Sequence, residues 1–108
     1  MNHAWKDERI LAAVARLREV YGPEQIAVVD HWPSDGLAIG VERPGAPGVL
    51  AYLSACEPGV WFVSLESPPG PAEVAAGLPY REVASHTRIG IEEVVEIVGR
   101  HLGMVRIR

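Results

Sequence analysis

Four histidines are the residues in this sequence best suited to hold a metal ion or to transfer a proton: His3, His31, His86 and His101. Zinc sites in proteins draw on histidine and cysteine ligands at short, regular spacings. The four histidines are scattered along the chain, and Cys56 is the only cysteine. A metal site would have to be assembled from distant segments, so we expect no metal ligands in this protein.

Two dipeptides contain residue types that serve in nucleophilic catalysis, Ser85-His86 and Asp30-His31. Adjacent residues on a strand point to opposite faces, so neither dipeptide can form a nucleophile–base contact by itself. Cys56 has no base beside it, and the sequence contains neither a G-x-S-x-G turn nor a glycine-rich phosphate loop. We therefore predict no catalytic residues and no bound cofactor, and we interpret the protein as a non-enzyme.

Charge is the strongest functional signal in the sequence. Ten Lys and Arg against fourteen Asp and Glu give a net charge of −4, which argues against nucleic acid as a partner. Residues 19–80 hold eight acidic side chains and one basic one, so the negative charge is concentrated in the middle of the chain. No apolar run is long enough for a membrane span, and the first residues lack a secretory pattern. We expect a cytoplasmic protein.

Two amphipathic helices and a set of short strands must position these groups. The spacing of apolar residues predicts a first helix from His3 to Tyr21, with Asn2 as its N-cap and Lys6 on its polar face. A second helix is predicted over Ile91–Leu102, between two glycines. Strands are predicted over 25–32, 37–43, 49–56 and 60–66, with further candidates at 80–85 and 104–108 and one helical turn over 72–76.

Tight turns rich in proline and glycine separate the four central strands, and such turns can join only antiparallel neighbours. The two helices need a shared apolar surface, which one face of a sheet supplies. The sequence thus predicts a single α+β domain spanning residues 1–108. It has two layers, an antiparallel sheet of four to six strands and the N-terminal and C-terminal helices packed on one face.

Acidic residues cluster near the predicted strand ends, and aromatic residues lie among them. Acidic groups steer a basic protein toward the surface, and aromatic side chains supply affinity. We expect reversal of Asp35, Glu42 or Glu57 to lysine to slow this association. The candidate partner-binding residues are Asp30, Trp32, Asp35, Glu42, Glu57, Trp61 and Glu66.

The segment Val83-Ala84-Ser85-His86, followed by Ile91-Glu92-Glu93-Val94-Val95, resembles the strand, histidine-containing turn and helix that end some small bacterial immunity proteins. These proteins neutralise secreted polymorphic toxins, and many are acidic α+β domains. The resemblance implies a non-enzymatic protein that blocks a basic cognate toxin by occlusion. The resemblance assigns a functional role to no individual residue of this chain. The architecture also resembles that of secretion chaperones, in which, however, a helix divides the strands.

Two alternatives remain open at this point. The chain could be a small-ligand-binding or enzymatic domain with a pocket between sheet and helices, lined by Trp32, Trp61 and His86. It could also be a homodimer that pairs edge strands or uncovered sheet faces. A closed apolar cavity with convergent polar groups would favour the first of these.

Overall fold

The computed structural model of the chain describes residues 5–107 and contains one five-stranded antiparallel sheet. Its strands are paired in chain order, which confirms the predicted meander. A 3-10 turn at Pro23–Gln25 follows the first helix. The helices and strands are α1 (Glu8–Tyr21), β1 (Ala27–Val29), β2 (Ala38–Glu42), β3 (Leu50–Glu57), β4 (Val60–Ser67), α2 (Pro71–Ala75), β5 (Arg81–Ile89) and α3 (Ile91–Leu102).

The first helix begins later than predicted. Asp7 caps α1, because its carboxylate accepts a hydrogen bond of 2.9 Å from the backbone N–H of Arg9. Residues 5–7 precede the helix, so the predicted start at His3 is wrong; Asn2 and His3 themselves lie outside the described residues. Lys6 is correspondingly not on a solvated helix face but buried.

The second helix has the predicted bounds. Gly103, the C-cap directly after Leu102, adopts the left-handed conformation with φ 68°. The strand predicted for the last residues is wrong for Met104–Ile107, which lie in no strand, and Arg108 lies outside the described residues. This segment instead runs back along α1, where the N–H of Ile107 donates a hydrogen bond of 2.8 Å to the carbonyl of Val20.

Both long helices pack on the same face of the sheet and enclose the core. The Tyr21 hydroxyl of α1 donates a hydrogen bond of 2.8 Å to the carbonyl of Val95 in α3. This contact joins the two helices directly. The fully buried residues of the core include Ile10, Leu17, Ile39, Val41, Leu53, Val63, Val94, Val95 and Val98.

Neither α1 nor α3 packs on the opposite face, which we call the open face. Because side chains alternate along a strand, it carries the neighbours of the core residues, among them Gly40, Tyr52, Phe62 and Ser64. β5 forms one edge of the sheet and extends to Ile89, four residues beyond the predicted end of the strand. The α+β architecture predicted from the sequence is therefore the one observed.

Candidate functional site

The open face contains a groove of about 650 Å³. Its walls come from the loop after β1, from β2 to β4 and from the segment between β4 and β5, so distant parts of the chain meet there. No lysine or arginine occurs among its lining residues within the described range 5–107. These residues are His31, Trp32, Glu42, Pro47, Gly48, Leu50, Glu66, Pro68, Pro69, Pro79 and Tyr80.

Three carboxylates lie in one row across the open face. In the strand register Glu42 of β2 is opposite Leu50 of β3, Leu50 is opposite Glu66 of β4, and Glu66 is opposite Glu82 of β5. Neighbouring strands are separated by about 4.8 Å, so Glu66 and Glu82 are direct neighbours while Glu42 lies two strands away. The row places negative charge along the floor of the groove and at its β5 side.

Glu66 is the most buried of the three, with 8% of its surface exposed. Burial raises the pKa of its carboxyl group, and repulsion from the Glu82 carboxylate adds to the increase, while the Ser64 hydroxyl and His31 act in the opposite direction. Within residues 5–107, no lysine or arginine nitrogen comes within 4.0 Å of the Glu66 carboxylate. The groove thus holds a largely buried acidic side chain without a lysine or arginine partner among the described residues.

Each of the two flanking carboxylates accepts one hydrogen bond from a neutral group. Glu42 accepts a hydrogen bond of 3.3 Å from the backbone N–H of Gly48, and Glu82 accepts one of 2.8 Å from the Ser64 hydroxyl. Neither forms a salt bridge with a lysine or arginine among the residues the structure describes. Both remain able to pair with a cation from outside.

Aromatic rings continue from the groove across the open face. The ring centroids of Trp32 and Tyr52 are 4.5 Å apart, and those of Tyr52 and Phe62 are 6.0 Å apart, both edge-to-face. His31 lies against Trp32 on the other side, at 5.6 Å. Trp32 approaches the sheet closely because Gly40 lies beneath it; a Cβ at that position would lie 3.1 Å from the indole.

The loop that carries His31 and Trp32 is anchored by a buried ion pair. The Lys6 ammonium is 3.0 Å from the Asp30 carboxylate, and the two side chains are 0% and 4% exposed. The ammonium also donates to the backbone carbonyls of Trp32, Asp35 and Ala38, at 2.7 to 3.1 Å. Asp30 in turn accepts the backbone N–H of Trp32 at 3.1 Å. This network fixes one wall of the groove.

The structure brings together three of the seven residues predicted to bind a partner. Trp32, Glu42 and Glu66 line the groove. Asp30 lies beneath the loop in contact with Lys6, and its side chain is not presented to solvent. Asp35 is exposed but supports its own loop, since its carboxylate accepts the backbone N–H of Leu37 at 2.9 Å.

The remaining two predicted residues lie elsewhere. Trp61 is 5% exposed and belongs to the core beneath the helices, because it shares its face with Val63. Glu57 is at the β3–β4 turn, where it accepts a hydrogen bond of 2.9 Å from Arg88. The seven residues therefore do not form one continuous surface.

Tyr80 and Glu82 are among the residues of the site that the sequence analysis did not predict. Glu82 joins the carboxylate row only because the β4–β5 pairing changes register between Leu65 and Glu66. Nothing in the sequence indicates this bulge. Tyr80 directly follows Pro79 and is 44% exposed in the structure. An aromatic residue next to a proline was the signal that the sequence offered for it.

The pocket predicted between sheet and helices, with Trp32, Trp61 and His86 in its walls, does not form. His86 pairs with Val63, and together with Trp61 it belongs to the helix side, whereas Trp32 is on the open face. A smaller cavity of about 220 Å³ lies beside His86 and is also lined by Arg100 and His101. The larger groove is on the other side of the sheet.

Residues 5–107 contain no group of three His, Cys, Asp or Glu side chains placed to hold a metal ion. In the same range, no helix has the length and apolar character that crossing a membrane requires. Comparison with known proteins finds no matching family, no matching curated protein and no matching solved structure. The function is therefore inferred from the geometry of the groove.

Proposed function

We propose that the protein is a non-enzymatic binding protein and that its open-face groove receives a basic protein partner. The observation that carries this proposal is Glu66, a buried carboxylate in an aromatic-lined groove with no lysine or arginine partner in residues 5–107. Partial burial of an ionised carboxylate carries a free-energy cost when no lysine or arginine lies beside it. A cation from a partner would offset this cost, so the groove favours a positively charged surface.

The flanking residues fit the same partner. Glu42 and Glu82 extend the negative charge on either side of Glu66, which accelerates the encounter with a basic surface. Trp32 and Tyr80 supply aromatic area, and such residues dominate the binding energy of many protein interfaces. The site offers charge for steering and apolar surface for affinity.

We further propose that the partner is a toxin and that the protein acts as its immunity protein. The support is the resemblance of residues 83–95 to the final segment of such proteins, together with the acidic α+β domain. Inhibition would need only occlusion of a cationic surface. Co-expression with the product of the neighbouring reading frame tests this step. Rescue of growth that depends on Glu42 and Glu66 supports it, whereas a non-toxic neighbour whose product does not bind contradicts it.

Association kinetics with the purified partner test the proposal itself. Glu42→Lys and Glu82→Lys should each slow association by about tenfold at low salt, and the difference should shrink as ionic strength rises. Glu57→Lys is the matched control: it makes the same charge change at the β3–β4 turn, away from the groove. Equal rates for all three variants would contradict docking at the open face.

A small-molecule site is the second candidate function. A volume of about 650 Å³ falls within the range of about 300–1,000 Å³ that is usual for ligand pockets. A screen of metabolites by thermal unfolding distinguishes the two. The ligand-binding function would be favoured if a metabolite stabilises the native protein and the Trp32→Ala variant is not stabilised by it. A groove that docks only a protein is not expected to bind a small molecule tightly.

A further inference from the structure

We propose that the partner inserts one arginine side chain into the groove, with its guanidinium paired to Glu66 and lying against the rings of Trp32 and Tyr80. This inference rests on the proposed function and specifies its central contact. It starts from the position of Glu66 opposite both Leu50 and Glu82, where apolar and acidic groups meet on the groove floor.

The floor of the groove selects for a cation that tolerates loss of water. Leu50 and Glu66 are both buried, with 5% and 8% of their surfaces exposed, and prolines Pro68, Pro69 and Pro79 form much of the wall. A lysine ammonium is a strongly hydrated point charge, whereas a guanidinium is weakly hydrated and planar. An arginine loses less hydration energy when it enters such a site.

The shape of the walls favours the same side chain. Guanidinium groups stack on aromatic faces and pair with carboxylates in a two-pronged geometry. Trp32 and Tyr80 line the groove together with Glu66, and both rings also border the adjoining depression above Ser64 and Glu82. A planar cation at this place meets flat apolar surface and carboxylate oxygens at once.

The other groups that face Glu66 do not replace the missing cation. His31 lines the groove, and its effect on the pKa of the Glu66 carboxyl group is smaller than the effects of burial, Ser64 and Glu82. Ser64 donates its hydroxyl to Glu82. Glu82 adds negative charge beside Glu66. The groups around Glu66 therefore leave its negative charge to be balanced by a guanidinium from the partner.

Short peptides test this assignment directly. Acetyl-Gly-Arg-Gly-amide, its lysine analogue and its citrulline analogue are titrated into the protein, and the indole N–H resonances of the three tryptophans are followed by NMR. We expect the arginine peptide to shift the Trp32 resonance and not that of Trp61, which lies on the other face. The lysine peptide should bind several-fold more weakly, and the citrulline peptide, which keeps the shape but lacks the charge, should not bind.

Two variants assign the effect to Glu66. Glu66→Gln preserves the shape and removes the charge, and it should weaken arginine binding by about tenfold or more. Glu57→Gln removes the same charge at the β3–β4 turn and should leave binding unchanged. Melting curves for both variants show whether they are folded. Since a neutral amide adds no buried charge to the groove floor, the Glu66→Gln variant should fold.

The outcomes separate the inference from the proposed function. Equal binding of the arginine and citrulline peptides, no shift of Trp32, or unchanged binding by Glu66→Gln overturns the arginine assignment. If Glu42→Lys and Glu82→Lys still slow association with the protein partner in that case, the proposed function stands. If arginine shifts Trp32 but these two variants associate normally, the site stands and docking of a basic protein at the open face is overturned.

Discussion

The Lys6 ammonium and the Asp30 carboxylate form an ion pair of 3.0 Å that is almost completely shielded from solvent. Three backbone carbonyls complete the surroundings of Lys6, two of them in the loop after β1 and the third at the first residue of β2. The residue just ahead of the α1 cap therefore holds the loop that positions Trp32. Folding of the N-terminal segment and construction of the groove wall are coupled through one side chain.

Replacement of Lys6 by methionine should destabilise the protein strongly. It leaves the Asp30 carboxylate buried without this cation, which costs about 3–5 kcal/mol in comparable cases. Urea unfolding measures the loss. Arg16→Gln is the control, because it removes an exposed contact with Glu92 and should change the midpoint far less.

A double variant checks the cause of this loss. Lys6→Met combined with Asp30→Asn removes both charges, and should be more stable than Lys6→Met alone because the buried carboxylate at this position is gone. If the double variant is the less stable of the two, the ion pair is not the source of the effect.

Gly99 should not tolerate a side chain, although it lies within a helix. A Cβ at this position would overlap the hydroxyl and ring of Tyr21, which is fixed by its hydrogen bond to Val95. We expect Gly99→Ala to lower the unfolding free energy by about 1–3 kcal/mol, despite the higher helix propensity of alanine. Glu93→Ala, on the exposed side of α3, should have little effect. A Gly99→Ala variant as stable as the native chain would mean that α1 and α3 can separate without cost.

The helices and strands could be predicted well from the sequence. The sequence was a poor guide to which side of the sheet each side chain occupies. Alternation in residues 37–43 and the turns around them were sufficient for β2 and for the order of the strands, because both signals are local. Trp61 and Phe62 are equally apolar, and only the position of the helices decides that the first belongs to the core. Residue type alone does not contain that information.

The candidate site depended on non-local information in the same way. In the sequence, Lys6 has the position of a solvent-exposed helix residue. Its partner Asp30 is 24 residues away, and only the fold brings the two side chains together. Glu82 enters the carboxylate row because of a bulge opposite Leu65 and Glu66. The concentration of charge in residues 19–80 indicated an acidic surface. Which of these carboxylates lie together in the groove depends on the strand register, which the sequence does not show.

Glu66 should give the protein a measurable pH dependence. Burial raises the pKa of its carboxyl group, so the folded state retains a proton that the unfolded state has already released. The stability contributed by this proton is fully present below the ordinary glutamate pKa of about 4.3 and is lost as the pH rises through the raised value. Native protein should therefore become less stable relative to Glu66→Gln over that interval.

Unfolding midpoints of the native protein and Glu66→Gln across a pH series test this sign. Asp7, Glu92 and Glu96 have lowered pKa values and give the opposite dependence, but they are present in both proteins and cancel in the comparison. The difference between the two proteins should be small in acid and larger, in favour of Glu66→Gln, at neutral pH. A difference that does not vary with pH would contradict the raised pKa.

Gly40 determines how closely Trp32 lies against the sheet. A Cβ here would be 2.8 Å from the carbonyl oxygen of Val29, 3.0 Å from Leu50 and 3.1 Å from the Trp32 indole, and the first of these atoms belongs to the backbone and cannot rotate away. Gly40→Val should cost about 1–3 kcal/mol and displace Trp32, with a changed indole resonance and weaker arginine binding. Ser54→Val places the same valine side chain elsewhere on the open face and should preserve both the stability and the arginine binding. Since strand propensity favours valine over glycine, a loss of stability at residue 40 can only come from the crowded contact, whereas a gain would show that Trp32 is free to move outward.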